Sequence, residues 1–253
     1  MSTESPYITA VLSVLVLVVA MLYSSVGHGG ASGYLAVMSF FAFTPAQMSS
    51  TALVLNILVA GIACATYVRA GYLSGKLTWP FVVASVPAAY VGGLMQVSVR
   101  AYQIMLALVL VFAAARLGLV FPERENPDVR KDMHVGLALV VGAVLGAISG
   151  IIGVGGGIFL SPLMILMNWA GTKQTAATSA CFIVVNSAAG LLGRATRQGI
   201  EVGSLLPLVA AAAIGGFAGS YLGAKRLSGL NLRRLLAIVL VIAAVKLILT
   251  APH

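Results

Sequence analysis

The sequence predicts an all-α integral membrane protein built from two five-segment inverted repeats. Three observations lead to this fold class. Of the 253 residues, 60% are hydrophobic and only 8% are charged, whereas soluble domains carry about 25% charged residues. The hydrophobic residues fall into long apolar runs, and the runs of the second half repeat those of the first. This composition excludes a water-soluble globular protein of this size.

The basic net charge does not indicate a nucleic-acid partner. The net charge is +9, but Lys and Arg stand singly or in pairs between apolar runs, and this distribution orients membrane helices. The two cysteines, Cys64 and Cys181, both lie inside apolar runs and form neither a disulfide framework nor a metal-ligand spacing. We therefore expect no metal, no cofactor and no nucleic acid.

Apolar runs define the predicted segments, because roughly 20 helical residues cross a membrane. Residues 1–121 form the first repeat, residues 122–132 form a charged linker, and residues 133–253 form the second repeat. The N-terminus lacks the basic region of a signal peptide, so we expect the first run to be retained as a helix. The ten segments are 7–23, 31–43, 51–68, 79–96, 103–121, 133–149, 157–169, 178–193, 205–222 and 235–250.

An internal duplication relates the two halves. A shift of 126 to 130 positions aligns glycines, polar residues and basic residues of one half with similar residues of the other. Inverted repeats with broken helices are a recurring plan of transporters. The aligned pairs are Gly27, Gly29 and Gly30 with Gly153, Gly155 and Gly156; Asn56 with Asn186; Arg69 and Gly71 with Arg197 and Gly199; Gly92 with Gly219; and Arg116 with Lys246.

The number of spans per repeat decides whether the second repeat is inverted. The runs at 31–43 and 157–169 hold 13 residues each, about 20 Å of helix, and this length favours a re-entrant segment and four full spans. The positive-inside rule favours five. With five spans, ten loop Lys and Arg residues lie on one side and only Arg100, Arg194 and Arg197 on the other; with four, the division is seven to six. We therefore predict five spans per repeat, with both termini outside and the linker in the cytoplasm. Four spans plus one re-entrant segment is the alternative.

Two glycine-rich breaks are the most informative segments. The strings SSVGHGGASG at 24–33 and GIIGVGGG at 150–157 separate apolar runs at equivalent positions. Unwound backbone inside a membrane is tolerated only where protein or a water-filled cavity satisfies its amides. A helix that begins after such a break directs free N–H groups back toward it, which favours an anion. Close helix packing by small residues is the alternative explanation, and neither break has the features of a nucleotide-binding loop.

Polar residues follow both breaks. Thr51, Thr178 and Ser179 end polar stretches where a helix N-cap would sit, and either capping or substrate contact explains them. Asn56 and Asn186 lie inside apolar runs, where a buried amide needs partners. Those partners are either groups on another helix or a polar substrate.

His28 is the ionisable residue of the first break, and Val154 occupies the equivalent position in the second. A histidine at membrane depth can carry a proton, although a structural hydrogen bond explains it equally. Ser32, in the string Gly-Ala-Ser-Gly, also raises the alternative of an intramembrane serine hydrolase with His28 as its base. Because nothing orients His28 and Ile158 replaces Ser32 in the second half, we expect no enzyme.

These residues resemble the sulfite exporter TauE/SafE permeases, also called the toluene sulfonate uptake permease group. The resemblance covers essentially the whole chain. It depends on GAISG at 146–150 leading into GVGGG at 153–157, on ATS at 177–179, on the counterpart at 27–30, and on the glycine-rich segments near Gly92 and Gly219. It implies a small permease for sulfur-containing anions such as sulfite, sulfonates or sulfoacetate.

We therefore predict a multi-pass transporter of the cell (inner) membrane, working as an exporter, that rocks one repeat against the other. Its partners would be a small sulfur-containing anion, the lipid bilayer and protons as the coupling ion; the sequence does not fix the oligomeric state. A passive anion channel is the alternative. The donors would be neutral, with no arginine deep in a span. The predicted substrate-binding residues are Ser25, Gly27, His28, Gly29, Gly30, Ser32, Thr51, Asn56, Gly153, Gly155, Gly156, Gly157, Thr178, Ser179 and Asn186.

Overall fold

The computed structural model describes residues 6–24, 28–118, 133–199, 205–225 and 230–250. The elements in these ranges are all α-helices, which confirms the all-α fold class. The predicted linker at 122–132 lies outside the described residues, and the domain boundaries stay predictions. The helices are α1 Pro6–Ser24, α2 Ala31–Ser39, α3 Pro45–Arg69, α4 Gly75–Leu94, α5 Val99–Gly118, α6 Val135–Ile152, α7 Gly157–Leu166, α8 Thr172–Gln198, α9 Leu205–Lys225 and α10 Leu230–Leu249.

Six helices of the described part are long and apolar enough to cross a membrane, namely α1, α3, α4, α5, α6 and α8. Their outer faces carry exposed apolar side chains such as Val14 and Leu108, as contact with lipid requires. The helices α2 and α7 have only 9 and 10 residues, about 13 to 15 Å of length. The sequence left open whether the segments at 31–43 and 157–169 cross the membrane fully. Each of them is a short helix followed by non-helical residues.

The helices α3 and α8 begin earlier than the apolar runs predicted. Thr44 caps α3 through a capping box, because its side chain accepts from the Gln47 amide at 3.2 Å and Gln47 Oε1 accepts from the Thr44 amide at 3.0 Å. Gly171 is the N-cap of α8. Thr51, Thr178 and Ser179 consequently lie inside helices, and their predicted capping role is wrong. Their hydroxyls face buried surroundings, so the polar stretches are helical faces and not loops.

The packing of helices between the two repeats is symmetric, because each such helix pair has a counterpart when the repeats are swapped. The helix α1 packs along α9 and α4 packs along α6; likewise α4 packs against α8 and α3 against α9. If α1 to α5 correspond to α6 to α10 in order, swapping the repeats converts each of these pairs into the other. The remaining large contacts, α3 with α8 and α5 with α10, join equivalent helices. This is the packing that an internal two-fold axis would produce, and the inverted orientation stays a prediction.

Glycines bring the paired helices into backbone contact. A Cβ atom at Gly150 or Gly146 of α6 would overlap the carbonyl oxygen of Ala89 or Ser85 on α4. On α9, a Cβ atom at Gly215 would overlap the carbonyl oxygen of Leu17 on α1. Small residues permit such close approach between membrane helices. Close packing thus explains these three glycines within helices.

We expect Gly150→Ala to destabilise the protein, because the added methyl group overlaps backbone atoms of Ala89 and Gly93 that cannot move independently. Overpacking of this kind costs about 1–3 kcal/mol. The control is Gly61→Ala in α3, where a Cβ atom meets nothing within 4 Å and where alanine favours the helix. Thermal unfolding of the detergent-purified variants measures the difference. Equal melting temperatures of the two variants would contradict this account of the α4–α6 contact.

Candidate functional site

The two breaks end at short helices that start in the same way. Gly30 precedes α2 with φ +96° and Gly156 precedes α7 with φ +73°. Both angles lie in the left-handed region, which glycine adopts without the steric cost that a Cβ atom brings. Both glycines are N-caps without a side-chain capping bond. The predicted residues Ser25 and Gly27 lie outside the described part of the chain.

Asn56 joins the two breaks. Its Oδ1 accepts a hydrogen bond from the Ala31 amide at 3.1 Å, and its Nδ2 donates to the Val154 carbonyl at 3.3 Å. The side chain is 1% exposed and lies near the middle of α3. One buried amide therefore satisfies the first N–H of α2 and a carbonyl of the second break. The sequence left open whether Asn56 binds groups of the protein or a polar substrate. In this structure its partners are backbone groups of the protein.

A small polar hollow lies where the breaks meet. Its volume is about 10 Å³, close to the minimum that holds one water molecule, so this conformation does not accommodate a sulfur oxyanion. Five of the predicted site residues line it: His28, Gly29, Gly30, Ser32 and Asn56. The other lining residues are Tyr23, Ala31, Val154, Ile158 and Ile183.

The Ser32 hydroxyl pairs with a tyrosine and not with the histidine. Tyr23 Oη and Ser32 Oγ are 2.7 Å apart, and both side chains are buried. The Ser32–His28 pair that a serine hydrolase would need is thus replaced by another contact. Sequence reasoning missed Tyr23, although a tyrosine in the last turn of an apolar helix, directly before a break, is a usable signal.

His28 connects the first break to the second repeat. Its Nε2 lies 3.0 Å from Ser161 Oγ, which lies 2.8 Å from Ser179 Oγ. Ser161 Oγ is also 3.1 Å from the Gly157 carbonyl, and its single proton can serve only one acceptor at a time. Hydrogen bonds through Ser161 therefore link Ser179 to His28, which lines the hollow. Ser161 was missed because it sits inside the apolar run of α7 without a neighbouring polar residue.

The glycines of the second break pack around the hollow without lining it. Gly155 and Gly157 lie against Ile183, and Gly155 also lies against the Asn56 amide nitrogen. Gly153 packs on the backbone of Ser49, and Gly156 lies beside Phe182. Their predicted contact with substrate is untested by this conformation.

Two threonines of the predicted site lie elsewhere. Thr178 Oγ1 is 3.0 Å from Thr78 Oγ1, so this pair joins α8 to α4. Thr51 is buried within α3. Neither belongs to the described residues that line the hollow.

Asn186 does not repeat the contacts of Asn56. Its Nδ2 donates to the Phe182 carbonyl of its own helix at 2.8 Å. Its Oδ1 is buried and has no hydrogen-bond partner among the described residues. The two asparagines therefore occupy equivalent positions in the repeats but differ in what they bind.

Arg194 was expected to be a loop charge, but it lies within α8, four residues before the end of that helix. It is 4% exposed, because α8 continues to Gln198 and buries this turn. Its Nη2 donates to the carbonyls of Gly150 at 3.0 Å and Ile151 at 2.5 Å. A cation at these carbonyls complements the negative end of the α6 dipole.

The long apolar helices, with two broken segments meeting at buried polar side chains, define a multi-pass membrane protein of the transport type. The chain belongs to the sulfite exporter TauE/SafE family, which matches residues 12–247. It is similar to the probable membrane transporter protein y4hK of Sinorhizobium fredii (strain NBRC 101917 / NGR234), with 35% identity over 245 residues, 94% of this chain and 97% of that protein. No solved structure matches the chain. The resemblance seen in the sequence is confirmed, and the family is one of membrane transporters and not of enzymes.

We expect Asn56→Leu to lower stability by about 1–3 kcal/mol, because it leaves two buried backbone groups without partners. The matched control is Asn186→Leu, which removes a single bond within one helix together with an unpartnered oxygen and should cost less. Thermal unfolding of the purified proteins measures both. A larger loss for Asn186→Leu would show that Asn56 is not the link between the breaks.

Proposed function

We propose that the protein is a secondary transporter that exports small sulfur-containing anions, such as sulfite or organosulfonates, by alternating access. The observation that carries this proposal is the meeting of two glycine-preceded helix starts at one buried polar hollow. Membership of the TauE/SafE family supports the class of substrate.

Helix starts supply the donors that an oxyanion needs. The first N–H groups of a helix have no partner within the helix, and they lie at the positive end of its dipole. In α2 the Ala31 amide is held by Asn56 Oδ1, so an anion oxygen would compete with a neutral amide oxygen for this donor. The Ser32 hydroxyl and His28 are within the same hollow. Neutral donors give an affinity that still allows release.

The small volume of the hollow favours a carrier over an open pore. The space of about 10 Å³ must expand before an oxyanion fits, and an expansion that opens toward one side at a time is alternating access. A passive channel would use the same donors but needs a continuous path. A hollow of this size is consistent with a state between two loading steps of a carrier.

Protons are the proposed coupling ion. The chain of hydrogen bonds from His28 through Ser161 to Ser179 joins the first break to α7 and α8. A proton taken up by His28 would place a positive charge beside the anion. Gain or loss of that proton would also change which atoms donate and which accept in this series of hydrogen bonds.

The test is transport in proteoliposomes that contain the purified protein. We expect uptake of labelled sulfite or of a sulfonate, and we expect an imposed pH gradient to change the rate. Preloading with unlabelled anion should accelerate uptake of labelled anion, because a carrier returns faster when loaded. A pore would show no such acceleration, and absence of transport for every sulfur oxyanion would refute the proposed substrate class.

Ser32→Ala should weaken anion binding without abolishing transport. Loss of one hydrogen-bond donor costs about 0.5–1.5 kcal/mol, equivalent to a rise in KM of roughly 2- to 10-fold. The control is Ser13→Ala in α1, whose hydroxyl donates to the Thr9 carbonyl of its own helix and which should transport normally. Initial rates of uptake against anion concentration give both values. Complete loss of turnover in Ser32→Ala would instead favour a nucleophilic role for this hydroxyl.

A further inference from the structure

Arg194 is a buried cation whose charge is not neutralised within the described part of the chain. The six acidic residues of the sequence are Glu4, Glu123, Glu125, Asp128, Asp132 and Glu201. All six fall outside the described ranges. Carbonyl dipoles are thus the partners that the structure gives this guanidinium. Burial removes the water that would screen the guanidinium, so an anion that reached it would be favoured.

The Arg194 guanidinium has unused donor capacity. It carries five N–H donors, and its bonds to the carbonyls of Gly150 and Ile151 are both made by Nη2. Its Nε is buried and has no hydrogen-bond partner among the described residues. Both N–H groups of Nη2 donate to carbonyls, so the N–H groups of Nε and Nη1 are the donors that remain for an oxyanion.

One face of α8 connects the hollow to Arg194. Ile183 lines the hollow, and Ser187, Gly190 and Arg194 follow at helical spacings of four, three and four residues, which places them on the same face. Ser187 Oγ lies beside Gly155 of the second break and has no partner among the described residues. Gly190 packs against Gly150, next to the carbonyls that Arg194 holds. The distance from Ile183 to Arg194 along the helix is about 16 Å.

We propose that Arg194 forms a second oxyanion-binding site of the transporter, in addition to the hollow. This site lies between the hollow and the C-terminal end of α6. The inference deepens the proposed function and depends on it. At this site an oxygen of the anion accepts from Nε–H, while both N–H groups of Nη2 keep their carbonyl contacts. The charge of Arg194 sets the selectivity for the more highly charged anion. The neutral donors of the hollow bind the anion before or after Arg194 does.

The experiment measures binding to the purified full-length protein by isothermal titration. The probes are sulfite, under conditions where it is mainly the dianion, and methanesulfonate, a monoanion with the same arrangement of three oxygens. Arg194→Gln removes the charge, and Arg194→Lys keeps the charge but loses the fork. The matched control is Arg197→Gln, because Arg197 also caps carbonyls, those of Leu94 and Met95 on α4, but lies one turn nearer the end of α8.

We expect Arg194→Gln to weaken sulfite binding by at least about 10-fold, the effect of losing one charge-assisted contact, and to weaken methanesulfonate binding less. Arg194→Lys should fall between Arg194→Gln and the unmodified protein, and Arg197→Gln should bind both anions within about 2-fold of the unmodified protein. If Arg194→Gln does not fold, the Arg194→Lys values decide, because a lysine can still donate to the α6 carbonyls.

Two results would overturn the inference while the proposed function survives. One is binding of both anions by Arg194→Gln and Arg194→Lys with unchanged dissociation constants. The other is a lowered melting temperature with an unchanged ratio of sulfite to methanesulfonate affinity, as a purely structural cap would give. Failure of the unmodified protein to bind either anion would instead refute the proposed function itself.

Discussion

The structure depends on one requirement: backbone that leaves helical geometry inside a membrane must find partners for its amide and carbonyl groups. Asn56 meets this requirement for both breaks at once, since it accepts from Ala31 and donates to Val154. A hydroxyl can also accept and donate, but both contacts would have to meet at one oxygen, whereas the amide presents its acceptor and its donor on separate atoms. A carboxylate could accept from Ala31 but could not donate to Val154. The amide is therefore well suited to join two unwound segments that lie next to each other.

The two repeats use the same plan but differ chemically at the hollow. Val154 and Ile158 stand where the first half has His28 and Ser32, and all four line the hollow. Asn186 bonds its own helix where Asn56 bonds both breaks. One wall is thus rich in donors and the other is apolar. In the proposed transport cycle, the donors of the first repeat would hold the anion, while the side chains of Val154 and Ile158 provide an apolar surface opposite them.

The sequence was sufficient for features that repeat and insufficient for features set by tertiary contact. The breaks, the short helices after them and the importance of Asn56 follow from matched positions in the two halves. The starts of α3 and α8 do not, because Thr51, Thr178 and Ser179 look like caps until neighbouring helices bury them. The burial of Arg194 depends on α8 continuing through a polar turn that packs on α6. Ser161 carries no local signal at all, since its partners His28 and Ser179 come from distant parts of the chain.

Glycine contacts also restrict which helices can separate when the hollow opens. Backbone contact joins α6 to α4 at Gly150, α4 to α8 at Gly93, and α9 to α1 at Gly215, and sliding such surfaces apart would leave voids on both sides. The contacts across the hollow are of another kind: apolar side chains and two hydrogen bonds, from Asn56 to Val154 and between His28 and Ser161. Opening there exposes groups that an anion can bind. The proposed opening would therefore break the bonds of Asn56 to Val154 and of His28 to Ser161, and oxygens of the anion would accept from the donors that this opening frees.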